Sequence, residues 1–300
     1  MTYRTHLQHA SGFLYGMLSS ASFGLIPLFT LPAMDAGMDF WSILMYRFAL
    51  ATLMLCILLL VNRQSLRIKH YELLPLLLLA ALYDGSALLL FWGYHFMASG
   101  VATTIHFTYP VLTTLLMMTF CHERASWWRH MAVLLSVCGV WLLSSGGAHT
   151  DGGSSLPLDG LLIVLASGLC YAVYLVLVSQ FKQLELRGLK LTFWVFLLGS
   201  LLLLGGTTLC GVGLQAVPDT STWINLLLLA LVPTVVSNIS LIWAIRRIGS
   251  TLTSVMGALE PLTAVSVGIL LFGEQFSLPI ACGILLILTA VTLIVLKRSK

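Results

Sequence analysis

Four ionisable side chains interrupt otherwise apolar stretches of the sequence and are the first candidates for chemistry: Arg47, Asp84, His106 and Glu260. At membrane depth, such a group is energetically costly unless it is paired or hydrated. It can attract a ligand of opposite charge, exchange a proton or pair with another buried group. We therefore treat these four residues as candidates for ligand binding or proton exchange.

Arg47 and Asp84 each allow more than one interpretation. Arg47 could bind an anionic group of a ligand or form a structural ion pair. Asp84 shares a helical face with Leu88, Phe91 and His95. An aspartate at that depth is expected to face the interior of a helix bundle, where it could hold a proton, bind a cation or pair with Arg47.

The other two ionisable candidates each lie close to a proline. Glu260 directly precedes Pro261, and His106 lies shortly before Pro110. Proline removes one backbone hydrogen bond and loosens the helix beside it, so we expect kinks at both prolines. Glu260 could contact substrate, hold a proton or serve gating and packing. His106 could line a cavity or donate a hydrogen bond between helices.

Aromatic and amide side chains complete the set of candidates: Trp92, Tyr171, Asn238 and Trp243. Aromatic rings that border an aqueous cavity can stack on flat ligands. Tryptophan is also favoured where a membrane meets water, so Trp92 and Trp243 could instead anchor their helices. We assign no catalytic or metal-binding residue, and none of the six cysteines forms a C-x-x-C pair.

The composition places these residues in a membrane protein. Of the 300 residues, 59% are hydrophobic and 9% are charged, and the mean hydropathy is +0.99. A soluble domain has roughly 25% charged residues, and a transmembrane helix needs about 20 apolar residues. We therefore predict an all-α membrane protein with ten transmembrane helices, at residues 11–32, 40–62, 73–96, 101–121, 127–145, 158–180, 191–213, 223–245, 250–272 and 278–297.

The charged residues divide between alternate connections of these segments. If the N-terminus is cytoplasmic, every Lys and Arg except Arg47 falls on the cytoplasmic side. The outside connections hold acidic residues instead: Asp35, Asp39, Asp151, Asp159, Asp219 and Glu274. Basic residues stay in the cytoplasm during insertion. The sequence therefore predicts a multi-pass protein of the bacterial cytoplasmic membrane with both termini in the cytoplasm.

The chain also contains an internal repeat, in which residues 251–294 align without a gap to residues 100–143. Polar and proline residues coincide in this alignment, Pro110 with Pro261 and Glu123 with Glu274, and the match extends upstream to Ser99 on Ser250. We predict a first five-helix repeat at residues 11–145, an external Gly/Ser-rich linker at 146–157 and a second repeat at 158–297. Because five is an odd number, the two repeats would be inverted relative to each other.

Short motifs in both repeats resemble those of the drug/metabolite transporter superfamily, in particular its ten-helix members with two EamA-type domains. The motifs are FGLIPLF at residues 23–29, YRFALA at 46–51, HERAS at 122–126, LEP at 259–261 and GEQFS at 273–277. The resemblance covers nearly the whole chain. It implies a central cavity lined by helices one to four and six to nine, with helices five and ten at the periphery.

Inverted repeats are typical of secondary transporters, which bind substrate near the membrane midplane. We therefore predict an exporter of small organic metabolites, such as amino acids, other zwitterions or amphipathic compounds, that works by alternating access. Two alternatives are an intramembrane enzyme that uses His106 with Asp84 or Glu260 as an acid–base pair, and a passive facilitator or channel. The expected partners are a small-molecule substrate, the lipid bilayer and protons. We expect no cofactor, metal ion or nucleic acid, and the sequence contains no phosphate-binding glycine loop.

Overall fold

The computed structural model describes residues 2–120, 127–146, 157–181, 188–209, 211 and 213–298. Within that part of the chain every regular element is a helix, which confirms the all-α prediction. The HERAS motif at 122–126 and most of the predicted linker at 146–157 lie outside the described residues.

Thirteen α-helices and one π-helical turn follow one another in the described chain. They are α1 (Thr2–Gly24), α2 (Ile26–Asp35), α3 (Phe40–Val61), α4 (His70–Gly93), α5 (Ser99–His106), α6 (Tyr109–Phe120), α7 (Trp127–Gly146), α8 (Leu158–Gln180), α9 (Leu189–Leu209), α10 (Thr220–Ala230), the π-helical turn (Leu231–Val236), α11 (Ser237–Met256), α12 (Leu259–Phe272) and α13 (Leu278–Arg298). Long apolar runs favour this outcome, because a helix satisfies its backbone hydrogen bonds internally even where water is absent.

Seven of the helical segments that the structure describes are long and apolar enough to cross a membrane. They are Ala10–Asp35, Phe40–Val61, His70–Gly93, Ser99–Phe120, Leu158–Val178, Leu189–Leu209 and Thr220–Ile248. Shorter apolar helical segments accompany them: His130–Ser144, Leu259–Phe272 and Leu278–Leu293. The length and composition of these helices make the chain a multi-pass membrane protein.

Two of the predicted transmembrane segments are interrupted just before a proline. The break between α5 and α6 lies at residues 107–108, before Pro110, and the break between α11 and α12 lies at residues 257–258, before Pro261. A proline ring clashes with the carbonyl group four residues earlier, which disfavours an unbroken helix through either position. The two breaks occupy equivalent places in the two halves of the chain.

The helices of the first half of the chain pack mainly against helices of the second half. The main pairs are α1 with α11, α4 with α8, α3 with α9, α5 with α12 and α7 with α13. Large apolar side chains such as Phe48, Phe91 and Phe196 are fully buried in the core. The interior of the bundle is therefore built jointly by the two halves.

Two glycines allow α7 and α13 to approach each other closely. A Cβ atom at Gly139 would lie 2.7 Å from Cγ1 of Ile287 and 2.9 Å from the carbonyl oxygen of Gly283. Non-bonded carbon atoms do not normally come so close, so even one methyl group would force the helices apart. Small residues at helix contacts are common in membranes, where they let backbones pack directly.

We expect Gly139→Ala to lower the apparent Tm of the detergent-solubilised protein, because overpacking of this kind costs about 1–3 kcal/mol. Gly205→Ala in α9 is the matched control, since nothing lies within 4 Å of the added Cβ atom there. Thermal unfolding followed by intrinsic fluorescence compares the two variants. Equal thermal stability of both would contradict the close packing of α7 on α13.

Candidate functional site

The helix bundle encloses a cavity of about 870 Å³ to which both halves of the chain contribute. Its wall is built mainly from α1, α4, α6, α8, α9, α11 and α12. The wall combines hydroxyl and apolar side chains with aromatic rings, which belong to Phe23, Tyr83, Phe107, Tyr109, Tyr171, Tyr174 and Phe196. A cavity of this size suits a small organic molecule.

The two ends of the bundle carry opposite charge. The basic face carries Arg63, Arg67, Lys190, Arg246 and Arg247, and the acidic face carries Asp39, Asp219 and Glu274. The cavity runs from Glu260 in the interior to Gly188 and Ile245 near the basic face, where the Ile245 side chain is exposed. None of the described lining residues belongs to the acidic face. The cavity therefore extends towards one face of the bundle only.

Glu260 is the ionisable candidate whose side chain lines this cavity. It lies in the first turn of α12, directly after the helix break, and is only 6% exposed. Its carboxylate has no hydrogen-bond partner among the described residues. The backbone of this turn packs closely against Gly24 of α1, which holds it in place. A buried carboxylate that faces a cavity can accept a proton, accept a hydrogen bond or pair with a positive charge.

Four tyrosines form one connected cluster on the cavity wall. The ring centroids of Tyr109 and Tyr171 are 4.7 Å apart at an interplanar angle of 86°, and Tyr171 stacks on Tyr174 at 5.6 Å. The ring of Tyr83 lies 5.5 Å from that of Tyr174 at 69°. Their hydroxyl groups have no hydrogen-bond partner within the described part of the chain. Tyr171 of this cluster is one of the sequence-predicted candidates.

A second cavity of only about 20 Å³ lies behind this wall. Phe23, Tyr83 and Tyr171 border both cavities, whereas Arg47 and His106 border only the smaller one. The space is enough for about one water molecule. Arg47 and His106 therefore lie outside the main cavity, with three aromatic rings in between.

Arg47 of α3 is held by a hydroxyl group and two aromatic rings. Its Nε donates a 2.9 Å hydrogen bond to Oγ1 of Thr234, and its guanidinium carbon lies 5.7 Å from the ring centroid of Phe48 and 5.9 Å from that of Phe91. Thr234 belongs to the π-helical turn and donates in turn to the carbonyl oxygen of Leu229. Nη2 of Arg47 is buried without a partner among the described residues. The side chain thus links α3 to an irregular turn in the other half.

Asp84 is buried in α4 but lines neither cavity. Its carboxylate packs against Gly199 of α9, where a Cβ atom would lie 3.1 Å from the carboxyl carbon. Neither carboxylate oxygen has a hydrogen-bond partner in the described residues. Pairing with Arg47, one of the three arrangements that the sequence allowed, is not formed in this structure.

His106 takes part in a chain of hydrogen bonds between helices. Its Nδ1 lies 2.9 Å from Oγ of Ser167, and that hydroxyl donates a 2.7 Å bond to the carbonyl oxygen of Ser86. The chain joins α5, α8 and α4. Within the described residues no hydrogen bond joins His106 to Asp84 or Glu260, the pairs that acid–base chemistry would need.

Asn238 and the two tryptophans occupy different environments. Asn238 lines the main cavity and donates a 2.6 Å hydrogen bond from Nδ2 to the carbonyl oxygen of Thr234. Trp92 and Trp243 are each 43% exposed and line neither cavity. Trp243 lies beside Arg247 at the basic face. Positions of this kind suit anchoring at a membrane interface.

The carboxylate of Glu274 joins the two halves at the acidic face, a contact that the sequence analysis did not predict. Glu274 accepts 2.6 Å hydrogen bonds from the backbone N–H and the hydroxyl of Ser99, and a 3.3 Å bond from the N–H of Gly100. These N–H groups lie in the first turn of α5 and have no partner inside their own helix. A negative charge there is also favoured by the helix dipole. We call this contact the acidic-face latch.

The loop before α10 makes a second connection at the acidic face. The side-chain oxygen of Gln215 accepts a 2.7 Å bond from the N–H of Asp39, and the N–H of Gln215 donates a 3.0 Å bond to Oγ of Ser42. The hydroxyl of Tyr46 donates to the carbonyl oxygen of Gln215 at 3.0 Å. This loop of the second half is therefore bound to the start of α3 in the first half.

We expect Arg47→Lys to destabilise the protein without changing its affinity for a ligand in the main cavity. Lysine cannot reproduce the Nε–H bond to Thr234, and a hydrogen bond to a charged group is worth about 1.5–3 kcal/mol. Thermal unfolding of Arg47→Lys, Thr234→Val and the double variant tests this, because changes that remove the same bond should not add. Weakened affinity at unchanged stability would instead place Arg47 in the binding site.

Comparisons with known proteins find relatives along most of the chain. Residues 10–145 and residues 158–296 match the EamA-like transporter family. YoaV of Bacillus subtilis, named an uncharacterized transporter, is 25% identical over 282 residues, which cover 90% of this chain and 93% of that protein. An uncharacterized transporter of Synechocystis sp. is 28% identical over 186 residues, which cover 60% of this chain and 54% of the relative, so the chain spans about half of that relative's length. A solved structure described only as "Crystal structure of protein" has a TM-score of 0.66 at 17% identity. The match covers 97% of this chain and 99% of the chain in that structure, and it shows the fold alone.

Proposed function

Because the chain belongs to the EamA-like transporter family, we propose that it is a secondary transporter that exports small organic molecules across the bacterial cytoplasmic membrane by alternating access. The observation that carries the proposal is the cavity of about 870 Å³, which extends to the basic face while hydrogen bonds join the two halves at the acidic face. Such a cavity is expected for one of the two states of a carrier whose site lies between two halves.

We also propose that the chain crosses the membrane ten times as two inverted repeats, at residues 11–145 and 158–297. Each of the seven long apolar segments and the three shorter ones overlaps one of the ten predicted segments, which supports this proposal. The predicted boundary at residues 246–249 differs, because α11 runs without a break from Ser237 to Met256. The packing supports this symmetry. Exchange of the two repeats turns the contact between α1 and α11 into the contact between α8 and α4, and α3 packs against its own counterpart, α9. In such an arrangement, exchange of the two repeat conformations would close the basic face and open the acidic one.

The basic face is proposed to be cytoplasmic, because Lys and Arg residues remain on that side during insertion. In a cysteine-free protein we expect Thr150→Cys to react with an impermeant maleimide on intact spheroplasts. Ser65→Cys, in the loop between α3 and α4, should react only after the membrane is permeabilised. Protection of residue 150 in intact spheroplasts would refute both the orientation and the inverted repeats.

Export is tested by comparing the metabolites in the medium of overexpressing and deletion cells. A substrate should be more abundant outside the former and less abundant outside the latter. In reconstituted vesicles its flux should saturate with concentration. Flux that rises without saturation would indicate a channel, and chemical conversion in detergent, without a second compartment, would indicate an intramembrane enzyme.

A further inference from the structure

The cavity wall specifies a class of substrate more narrowly than the sequence does. We propose that the main cavity binds organic cations in which an amine or quaternary ammonium group is attached to a flat apolar body. This substrate class rests on the proposed transport function, because it takes the main cavity as the substrate site. It is narrower than the amino acids, zwitterions and amphipathic compounds that the sequence allowed.

The first reason is the charge of the wall. Glu260 is the only carboxylate among the lining residues that the structure describes, and no Lys, Arg or His is among them. The buried Arg47 and His106 border the small cavity instead, beyond the rings of Phe23 and Tyr83. Opposite charges attract more strongly where water is partly excluded. The wall therefore offers a partner to a cation and none to an anion.

The second reason is the arrangement of the aromatic rings. The interplanar angle is 86° between the rings of Tyr109 and Tyr171 and 69° between those of Tyr83 and Tyr174. The rings of each pair therefore form a corner and not one flat surface. Glu260, Tyr109 and Tyr171 line the same cavity. The face of an aromatic ring attracts an ammonium group within about 6 Å of its centroid. Aromatic corners beside a carboxylate are suited to recognising such groups.

The third reason is that the described part of the wall has no cationic side chain to pair with the carboxylate of a zwitterion. The carboxylate of an amino acid would find tyrosine hydroxyls, which have no hydrogen-bond partner in the described residues, but no cationic side chain. A buried charge without a charged partner is unfavourable. An amino acid should therefore bind more weakly than the amine with the same ring.

Four ligands with one phenyl ring separate these possibilities: 2-phenylethylamine as the cation, phenylalanine as the zwitterion, phenylacetate as the anion and 2-phenylethanol as the neutral compound. Isothermal titration calorimetry on the full-length protein in detergent near neutral pH should show the tightest binding for the amine. We expect it to bind about tenfold more tightly than the alcohol, with the other two weaker still. Equal or tighter binding of phenylalanine or phenylacetate, or no binding of the amine, would overturn the proposal.

Three variants assign the preference to Glu260. Glu260→Gln should weaken binding of the amine about tenfold and change that of the alcohol by less than about twofold. Glu260→Asp keeps the charge and should keep the preference, which also shows that the site tolerates a change at this position. Asp84→Asn is the matched control, because it removes a buried carboxylate that lines neither cavity. A preference that survives Glu260→Gln, or that is lost in Asp84→Asn, would contradict the assignment.

Transport is measured separately, by flux in reconstituted vesicles of the amine and of any compound identified from cells. Saturable flux of some compound together with no preference for the amine in calorimetry would refute the cation site and leave the transport function standing. Preferential binding of the amine without flux of any compound would refute transport and leave the cation site standing.

Discussion

Replacement of Glu274 by alanine should open the acidic face and shift the protein towards the proposed conformation in which that face is open. The Glu274 carboxylate accepts three hydrogen bonds from Ser99 and Gly100, and these bonds join the two halves of the chain. Hydrogen bonds to charged groups are worth about 1.5–3 kcal/mol each, of which water recovers a part. We therefore expect the equilibrium between the two proposed conformations to change by about tenfold or more.

Labelling of a cysteine beneath the latch measures this opening. Thr103 lies one turn into α5, is buried, and its hydroxyl lies 3.4 Å from that of Tyr94. In a cysteine-free protein carrying Thr103→Cys, an impermeant maleimide applied to spheroplasts should react about tenfold faster when Glu274→Ala is added. A rate equal to that of the protein with Glu274 intact would show that the latch does not hold the acidic face closed.

Asp219→Ala is the matched control for this experiment. Asp219 is also an acidic helix cap at the acidic face, but it accepts its 2.7 Å hydrogen bond from Thr222 of its own helix. That N–H group holds the pKa of the Asp219 carboxyl below its ordinary value. Loss of this cap leaves the contact between the halves intact, so labelling should not change. Gly268→Ala should reproduce the effect of Glu274→Ala, because its added Cβ atom would fall on the Glu274 carboxylate.

The sequence predicted those parts of the fold that depend on composition and on covalent geometry. Apolar runs located the helices, and the rings of Pro110 and Pro261 explain where two of them break. The π-helical turn Leu231–Val236 was not predicted, although Pro233 inside it is a local sign that the regular hydrogen-bond pattern is disturbed there. In the structure this turn includes Thr234, the acceptor for a side chain of the other half. The hydrogen bond between Arg47 and Thr234 joins residues that are far apart in the sequence, so a local sequence pattern cannot reveal it.

The candidate site was predicted less completely than the fold. Selection by ionisable type found Glu260 on the main cavity, but it also chose Arg47, Asp84 and His106, which the structure places elsewhere. Membrane depth can be inferred from sequence, because it depends on position within an apolar segment. The direction of a side chain cannot be inferred where the whole helix is apolar, since no polar stripe marks the face towards the cavity.

The tyrosine cluster and the acidic-face latch were also missed. Tyr171 and Tyr174 lie three residues apart on one helical face, and this spacing is the local signal that could have indicated an aromatic wall. The repeat alignment drew attention to Ser99 and Glu274 as separate residues. Their contact depends on how α5 and α12 pack, and only the three-dimensional arrangement shows it.

Coupling to protons is expected to depend on Glu260 and not on Asp84. A carboxyl group on the cavity wall can take up and release a proton, whereas the amide of glutamine keeps its shape and polarity but cannot. We expect Glu260→Gln to retain exchange of substrate across a vesicle membrane at concentrations raised to offset weaker binding. It should abolish accumulation driven by a pH gradient. Asp84→Asn should still accumulate substrate, because that carboxylate packs on Gly199 and lines neither cavity.

Reconstituted vesicles with defined internal and external pH measure both properties in the same preparation. Wild-type protein should concentrate substrate above its equilibrium level only when the gradient is present, and Glu260→Gln should stop at equilibrium. Wild-type flux that ignores the gradient would make the protein a facilitator with no coupling carboxylate. Accumulation by Glu260→Gln together with its loss in Asp84→Asn would move the coupling site to the interface between α4 and α9, where Asp84 has no hydrogen-bond partner among the described residues.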